Sequence, residues 1–333
     1  MSLMNKIFLI YLRKTLIVGK MLTHSMKFIF CILLSTILIN SCKRPSANVY
    51  VVGLEKVNDV QLPVLWKNGV RTQLSKNMGW ANSVFVFQDD VYVVGGDRVS
   101  DKEYPVLWKN GVRNQLSENQ GLAEAIYVNN NGVYVVGSEQ NFGMYTPVLW
   151  KNGERFQLSD TEFEHAFSIC LSETDVFVAG GCEKYPMLWK NGQKIQLSEI
   201  EGCAQSVFVS GGDIYVTGVE GSLGEEVPVV WKNVIRTQLS KNTDYAYGIF
   251  VNKMDVYVAG MEGPFNKINP VLWKNGIKKQ LSTLNGSAAA VFVTGDDVYV
   301  TGYINSYPVL WKNNEKIQLS SNEGQGKDVF VSY

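Results

Sequence analysis

The sequence has 333 residues, in which 31 Lys and Arg balance 31 Asp and Glu. The balanced charge gives no overall field that would attract nucleic acid or another polyanion, so we exclude nucleic acid as the main partner. The 30 Gly, the recurring Asn-Gly pairs and the short apolar runs, without a long amphipathic helical pattern in the repeats, predict an all-β domain.

The chain opens with a segment that reads as an export signal. One Lys precedes an apolar run from Phe28 to Ile39, which is too short for a comfortable transmembrane helix and has the dimensions of a secretory h-region. The run ends in Ile39-Asn40-Ser41-Cys42, which resembles a bacterial lipobox, where a small residue precedes the Cys that is lipidated. An uncleaved signal anchor with an incidental Cys is the alternative.

The lipobox resemblance implies an organisation and a location. Residues 26–41 would be a lipoprotein signal peptide, Cys42 the lipidation site and 42–47 a short linker to a folded domain at 48–333. Residues 1–25 read as an upstream extension or a mis-assigned start. We therefore expect a protein of the bacterial cell envelope, an outer-membrane lipoprotein that faces the periplasm or the surface and is held at the membrane by its lipid.

One motif, Trp-Lys-Asn, recurs through the rest of the chain. A repeat of about 40 residues in short apolar runs is typical of a propeller or solenoid, because one unit cannot bury its own faces. Its seven copies begin at Trp66, Trp108, Trp150, Trp189, Trp231, Trp273 and Trp311, at intervals of 38 to 42 residues.

Each repeat predicts two antiparallel hairpins. In the first, two short apolar strands are joined by Asp, Asn or Gly, as between Ala81 and Val91. In the second, Asn68-Gly69 suits a two-residue type I′ turn, which places Trp66 opposite Arg71 and predicts a cation–π contact between them. A Pro three residues before each Trp is expected to mark a strand start.

Two repeats depart from the Asn-Gly turn. Val234 and Asn314 replace the Gly, and Val in a left-handed conformation is costly. We therefore expect these two turns to differ from the other five.

Four antiparallel strands in each of seven repeats predict a seven-bladed β-propeller. The domain begins on the second strand of a blade, at Val49, and ends on a first strand, Asp328 to Val331. The last strand is expected to complete the first blade and so to remove open sheet edges. A parallel β-helix is the alternative fold.

The repeats also resemble known repeat families. The strand from Val91 to Gly96, with its Gly-Gly doublet, is similar to a kelch repeat in architecture. A nearer resemblance, over the whole domain, is to HAF-type extracellular bacterial repeats, which join an Ala-x-Gly-Ile-Asn strand to a Leu-Trp-x-Asn-Gly hairpin. Here Ala246 to Gly260 and Val271 to Gly276 carry that pattern, although the preceding Pro departs from it. The resemblance implies an exported repeat protein of undefined activity.

Residues suited to catalysis are few. His165 is the one His after the signal, and we place it as a packing residue at the start of an inner strand. No Cys/His cluster has zinc spacing and no sialidase-type box occurs, so we expect no cofactor and no metal site. The Asp89-Asp90 and Asp296-Asp297 pairs are read as turn caps, with calcium binding or catalysis as the alternatives.

Two further groups were left open. Cys182 and Cys203 fall near the same sheet edge and would allow a disulfide, although free buried thiols are the alternative. The fourteen basic residues of the Trp hairpins are read as a structural ladder, with binding of anionic lipid headgroups as the alternative.

Variation between the repeats predicts where a ligand would bind. The loops after the second strands vary while the hairpin turns stay nearly constant, and binding residues concentrate on loops of a rigid scaffold. The residue after the recurring Ala of each inner strand, or after Gly326 in the last copy, also varies and is expected to ring the mouth of the channel. These seven residues are Asn82, Glu124, Phe167, Gln205, Tyr247, Ala289 and Lys327. Aromatic residues expected on the same face are Trp80, Phe142, Tyr145, Tyr245 and Tyr303. Drift in unselected loops is the alternative.

The leading hypothesis is a non-catalytic, monomeric binding propeller whose variable face meets a glycan, a peptide or a protein. A carboxylate-based glycan hydrolase or lyase and a purely structural envelope component are the alternatives. A convergent pair of acids at the channel mouth would favour the enzyme, an aromatic patch the binder, and a featureless face the structural role.

Overall fold

A computed structural model describes residues 47–333 except Phe142, 161–163, 182–183, Leu223 and 265–266. The regular elements of the described residues are 28 β-strands, four from each repeat. Within the described residues, no helix has the length and hydropathy needed to cross a membrane.

The strands fall into four sets by their place in the repeat. The first, innermost strands are β4 (Gly79–Phe87), β8 (Gln120–Asn129), β12 (His165–Leu171), β16 (Gly202–Ser210), β20 (Asp244–Asn252), β24 (Gly286–Thr294) and β28 (Gly324–Ser332). The second strands are β1 (Asn48–Val57), β5 (Asp90–Val99), β9 (Gly132–Asn141), β13 (Val176–Gly181), β17 (Asp213–Glu220), β21 (Asp255–Glu262) and β25 (Asp297–Ile304). The third strands are β2 (Val60–Lys67), β6 (Lys102–Lys109), β10 (Met144–Lys151), β14 (Pro186–Lys190), β18 (Val227–Lys232), β22 (Asn269–Lys274) and β26 (Tyr307–Lys312). The fourth strands are β3 (Val70–Gln73), β7 (Val112–Gln115), β11 (Glu154–Gln157), β15 (Gln193–Gln196), β19 (Ile235–Gln238), β23 (Ile277–Gln280) and β27 (Glu315–Gln318).

These strands form antiparallel sheets in the order first, second, third, fourth. The described residues form five sheets of four strands and one of eight, in which a single bridge from Gly181 to Cys203 joins two neighbouring repeats. All strand pairs of the described residues are antiparallel, which excludes the parallel β-helix. The first strands of successive repeats pack side by side from β4 to β24, and β28 packs on both β24 and β4.

The core lies between successive sheets and is anchored by the seven Trp side chains, each at most 1% exposed. In one cluster Trp108 packs with Val93 of its own repeat and with Tyr50 and Val52 of the preceding one. Burial of a Trp side chain removes 150–250 Å² from water, which contributes roughly 4–6 kcal/mol as an upper value. Each repeat is therefore stabilised by its neighbour, as the repeat pattern predicts.

The Trp hairpins have the predicted register, but their cations contact other groups. Trp66 lies opposite Arg71, yet the guanidinium of Arg71 donates to the buried carboxylate of Glu55. The cation–π contact is made by Lys67, whose ammonium lies 5.1 Å from the ring centroid of Tyr50. The Trp rings are buried in the core. The cation of the hairpin therefore contacts the face of a Tyr ring instead of the Trp ring.

The expectation that two turns differ is wrong. Asn233 and Val234 have φ of 49° and 65°, and Asn314 has φ of 73°, so these turns keep the left-handed geometry of Asn68 at 51° and Gly69 at 80°. The Asn side chain holds the turn: the Oδ1 of Asn233 accepts the Ile214 amide at 2.9 Å. The strain of Val is therefore carried by the hairpin rather than relieved by another turn type.

The Pro before each Trp is a strand start in one repeat only, at Pro186 of β14. In the first repeat Pro63 is the fourth residue of β2 and pairs with Leu54. Pairing of β2 with β3 stops at Val64 and Gln73, and the Pro63 carbonyl then accepts the amide of Leu74. The missing amide hydrogen of Pro faces the side where the fourth strand has ended, so no ladder bond is lost.

Candidate functional site

Each inner strand contains a β-bulge at one position. In β4, Ala81 pairs with Gly95 and Ser83 with Val94, which leaves Asn82 without a partner on β5. A bulge re-aims the extra side chain and strengthens the local twist. The same register shift leaves out Asn82, Glu124, Phe167, Gln205, Tyr247, Ala289 and Lys327, all half-buried. We call these seven residues the bulge ring; they are the residues that variation between repeats singled out.

The polar part of the bulge ring is bonded across repeats. Asn82 Nδ2 donates to the Ala123 carbonyl at 3.1 Å and to Glu124 Oε2 at 3.0 Å. Burial raises the pKa of Glu124 to about 7, the charge of Lys327 lowers it and that of Glu103 raises it. Burial also raises the pKa of Glu103 to about 7, and its Oε1 is buried without a hydrogen-bond partner in the described residues. Two carboxyl groups that influence each other electrostatically are thus partly protonated near neutral pH.

Lys327 is the cation of the bulge ring. Burial lowers its pKa, and the charge of Glu124 raises it. No hydrogen bond or ion pair of its ammonium with another described residue is present in the structure. Burying an ammonium without a partner costs free energy, so contact with a bound anion would stabilise the charged form of Lys327.

Aromatic side chains lie at and beside the bulge position of β20. The rings of Tyr245 and Tyr247 are stacked, with centroids 6.2 Å apart and planes 14° apart. Burial raises the pKa of Tyr245 to about 12, and a hydrogen bond to Glu226 also raises it. A cavity of about 370 Å³ lies here, lined by Tyr247, Met261, Ile268, Ser287, Ala289, Tyr303, Gln325 and Lys327.

A second aromatic group surrounds His165 at the start of β12, where the sequence placed it. Its ring lies 4.7 Å from that of Tyr145 and stacks on Phe167 at 5.6 Å. Nδ1 of His165 lies 3.1 Å from the hydroxyl of Ser138, and burial lowers the pKa of the imidazole. These contacts are those of a packing residue that supports Phe167 of the bulge ring.

The other candidate residues are spread over the same strands. Trp80 is half-buried on β4 opposite Gly96, and Gln205 is the bulge residue of β16. Phe142 and Cys42 lie outside the described residues. A larger cavity of about 740 Å³, which the sequence did not predict, is lined by the start of β20, at Asp244 and Tyr245, and by loop residues that include Lys267.

A set of buried carboxylates escaped the sequence analysis. Glu55, Asp97, Glu139 and Glu220 are at most 1% exposed, and each accepts a hydrogen bond from an Arg on the fourth strand. They occupy the second position after a strand Gly, and Glu262 follows the same rule. This recurring Gly-x-acid spacing was a readable signal for the ion pairs that join the second and fourth strands.

Basic residues of the Trp hairpins contact the acids of the first hairpins and nearby aromatic rings. Lys109 Nζ lies 2.7 Å from Asp90 Oδ2 and 5.1 Å from the ring centroid of Tyr92. Asn110 Nδ2 donates to Asp90 Oδ1 at 2.7 Å. Hydrogen bonds from Lys109 and Asn110 hold the pKa of Asp90 below its usual value. Asp90 of the first hairpin therefore stabilises the turn of the Trp hairpin. In the described residues, no group of three or more His, Cys, Asp or Glu could hold a metal.

The two cysteines among the described residues differ in state. Cys170 is free and buried, and burial raises the pKa of its thiol to about 11, so it is inert near neutral pH. Cys203 is disulfide-bonded, and its partner lies outside the described residues. Cys182, proposed from the sequence as that partner, also lies outside them.

No protein-family model and no curated protein matches this sequence. Among solved structures, the β-propeller domain of the trilobed protease from Pyrococcus furiosus has a TM-score of 0.52 at 13% identity, covering 84% of this chain and 96% of that one. The fold is a β-propeller.

Two peptidases are similar over part of their length. An acylaminoacyl peptidase in complex with Z-Gly-Gly-Phe-chloromethyl ketone has a TM-score of 0.51 at 13% identity, and its Pyrococcus horikoshii counterpart 0.50 at 14%. The matches cover 84% of this chain in each case, and 51% and 52% of those chains. This propeller chain thus spans about half the length of these peptidases, and the likeness concerns the fold alone.

Proposed function

We propose that this chain is a bacterial envelope lipoprotein whose propeller binds a glycan, peptide or protein partner without catalysing a reaction. The signal-like segment 26–41 and the lipobox-like end at Cys42 support the anchor, and the HAF-type resemblance supports export. Replacement of Cys42 by Ser should release the protein from the membrane fraction or leave its signal uncleaved. Labelled palmitate that still enters the Ser variant would contradict the anchor.

The propeller is proposed to have seven blades and to be closed by β28. The support is the pairing of β28 with β1, from Asn48 opposite Ser332 to Glu55 opposite Gly324. The strand from the end of the chain thereby becomes the innermost strand of the first sheet. The P. furiosus domain is described as having an open velcro topology, so the two propellers would differ at this point.

The bulge ring is the observation that supports binding. Its seven residues share one register position, yet their side chains differ: two are amides, one is an acid, one is a cation, two are aromatic and one is Ala. The scaffold beneath them is nearly invariant, with the same Trp core and the same Asn turns in each repeat. A regular frame that presents different side chains at one mouth is the arrangement expected of a binding surface.

The test is a glycan and secreted-protein binding screen with the full chain, followed by variants of each face. Replacement of both Trp80 and Tyr247 by Ala should lower the affinity for a ligand found in the screen by about tenfold or more, which is about 1.4 kcal/mol of binding free energy. The variant should keep its folded structure. Replacement of Lys67 and Lys274 by Ala on the hairpin side should leave affinity nearly unchanged. The reverse pattern would move the site to the basic hairpins and favour an anionic partner.

The carboxylate-based enzyme remains a second candidate because of Glu103 and Glu124. Both have a pKa raised to about 7, as a general acid requires near neutral pH. Hydrolysis or lyase products formed by the full chain from a panel of glycans, and abolished in Glu124→Gln, would favour this activity. Binding without turnover would favour the binding propeller, and neither result the structural role.

A further inference from the structure

The cavity of about 370 Å³ is formed where three members of the bulge ring meet. Tyr247, Ala289 and Lys327 come from β20, β24 and β28 and line the same space. At the bulge position Ala289 has a small side chain, where two other repeats have the large rings of Phe167 and Tyr247. The missing ring leaves space for the cavity. Its volume is at the lower end of ligand sites, which suits one small ring system.

The charge of the cavity is set by Lys327. Its ammonium is half-buried and makes no hydrogen bond or ion pair with another described residue, although Glu124 acts on it through space. A desolvated cation gains most from an anion that contacts it directly. The group that best completes this site is therefore a carboxylate or similar anion on the ligand.

The walls suit a sugar ring. Tyr247 presents a ring backed by Tyr245, whose side chain bonds to Glu226, so its orientation is held before a ligand arrives. Among the described residues, the Tyr247 hydroxyl donates only to the weak acceptor Met261 Sδ, at 3.6 Å. The Ser287 and Gln325 side chains line the cavity beside it and form no hydrogen bonds with other described residues. Aromatic faces match the C–H faces of a pyranose, and these polar groups match its hydroxyls.

Building on the binding function proposed above, we propose that this cavity binds an acidic sugar, with the carboxylate of a hexuronic acid at Lys327 and its ring against Tyr247. A peptide C-terminal carboxylate is the competing ligand. Such carboxylates are captured by backbone amides in nests, whereas the charged donor of this cavity is the Lys327 side chain.

Replacement of Glu124 tests whether the bound group is an anion. Its carboxylate, bonded to Asn82, interacts electrostatically with Lys327 and would repel a bound carboxylate. The other acid that acts on Glu124 is Glu103 on β6, while Asp328 beside Lys327 is bonded to Ser83 and Val84. Glu124→Gln should therefore bind a uronic acid several-fold more tightly than the native chain.

The experiment titrates the full chain with glucuronic acid and with glucose, followed by calorimetry or ligand-observed NMR. Glucuronic acid should bind at least about tenfold more tightly than glucose, and Lys327→Met should abolish that difference while Lys327→Arg keeps part of it. Ala289→Phe should block both sugars. Phe167 and Tyr247 occupy the equivalent bulge positions, so this variant tests the cavity even if Lys327→Met fails to fold. Lys279→Met, at an exposed position of β23, is the matched control and should change nothing.

Four outcomes would overturn the acidic-sugar proposal. Equal affinity for glucose and glucuronic acid, lost in Tyr247→Ala, would replace it by a neutral-sugar site and leave the binding propeller standing. Binding of an acetylated dipeptide acid, but not of its amide or of either sugar, would assign Lys327 to peptide C-termini. A partner from the screen that binds Ala289→Phe unchanged, with no sugar bound by the native chain, would refute the cavity alone. No binding in the screen and none to these probes would refute both proposals.

Discussion

Asp328 Oδ2 accepts the hydroxyl of Ser83 at 2.8 Å, although the two residues are 245 positions apart in the chain. The same oxygen accepts the amide of Val84 at 3.0 Å. Ser168 has the equivalent place in its repeat, and its hydroxyl accepts the Val207 amide at 3.1 Å. The contact that joins the last strand to β4 therefore uses a carboxyl group where the contact that joins β12 to β16 uses a hydroxyl.

Replacement of Asp328 by Ala should destabilise the protein more than replacement of Ser168 by Ala. Replacement of Asp328 removes the acceptor of three donors, the Ser83 hydroxyl and the Val84 and Val329 amides, and we expect a loss of about 1–3 kcal/mol in the free energy of unfolding. The Ser variant removes one neutral bond, for about 1 kcal/mol. Urea unfolding of both variants measures the difference, and equal losses would show that the additional hydrogen bonds of the Asp328 carboxyl do not stabilise the fold.

Deletion of residues 326–333 should open the propeller. Most of β28 is lost, which exposes an edge of β1 and the faces that packed on β24 and β4. We expect aggregation or a loss of several kcal/mol in thermal unfolding. An unchanged melting temperature would argue for an open array of repeats.

Replacement of Val234 by Gly should stabilise the chain. Val234 holds a φ of 65° and its side chain is 53% exposed, so Gly relieves left-handed strain with little loss of packing. We expect a gain of about 1 kcal/mol by denaturant unfolding. Gly276→Val, the same exchange in reverse at a turn with φ of 77°, should cost about as much. A destabilising Val234→Gly would mean that the Val side chain stabilises its hairpin.

Replacement of Arg155 by Met should leave the Glu139 carboxylate buried without its cation. Burial alone would raise the pKa of Glu139, but hydrogen bonds from Ser117, Asn119 and Arg155 hold it below its usual value. We expect a loss of about 1–3 kcal/mol at pH 7. A lowered folded-state pKa stabilises above the unfolded value, so this loss should shrink as the pH falls below about 4.

The last repeat supplies the control for Arg155. Lys316 occupies the corresponding place opposite Trp311, but Ile304 stands where five other repeats have the acid. Lys316→Met should therefore change the free energy of unfolding by less than about 0.5 kcal/mol. Similar losses in both variants would assign the effect to packing of the basic side chain rather than to the ion pair.

The free energy of unfolding should decrease as the pH rises from about 5 to 8. Glu103 and Glu124 have folded pKa values raised to about 7, so the folded state retains protons that the unfolded state has lost in this window. Glu103→Gln and Glu124→Gln should each flatten the dependence in denaturant titrations at several pH values. A steeper slope in either variant would contradict the raised pKa.

Most of the fold could be predicted from the sequence because its signals repeat. The Trp–Arg register, the Asn-Gly turns and the antiparallel pairs each recur with one spacing, so Trp66 and Arg71 were placed opposite each other correctly. The turn at Val234 was predicted wrongly because residue preference was weighed without the Asn233 side chain that holds the turn. The Pro positions were misread because the fourth strands are shorter than the third.

The candidate site was predictable in its positions and not in its chemistry. Variation after the recurring Ala identified the bulge ring, but only the register shows that these residues lack a ladder partner. The contact of Asn82 with Glu124 and the shared cavity of Tyr247 and Lys327 depend on which repeats become neighbours in space. Buried acids such as Glu139 are marked in the sequence by the Gly-x-acid spacing. Their role was not predicted because the partner of Glu139, Arg155, lies 16 residues later on another strand.

A residue of the bulge ring has no opposite number on the second strand, so an exchange there alters no cross-strand side-chain pair and no register. Selection could therefore change the members of the bulge ring without shifting a strand register, with hydrogen-bonded neighbours such as Asn82 and Glu124 changing together. A family of such proteins would be expected to keep its Trp and Asn positions while its bulge-ring residues diverge. The same property makes the chain a scaffold on which new specificities could be selected by randomising seven codons.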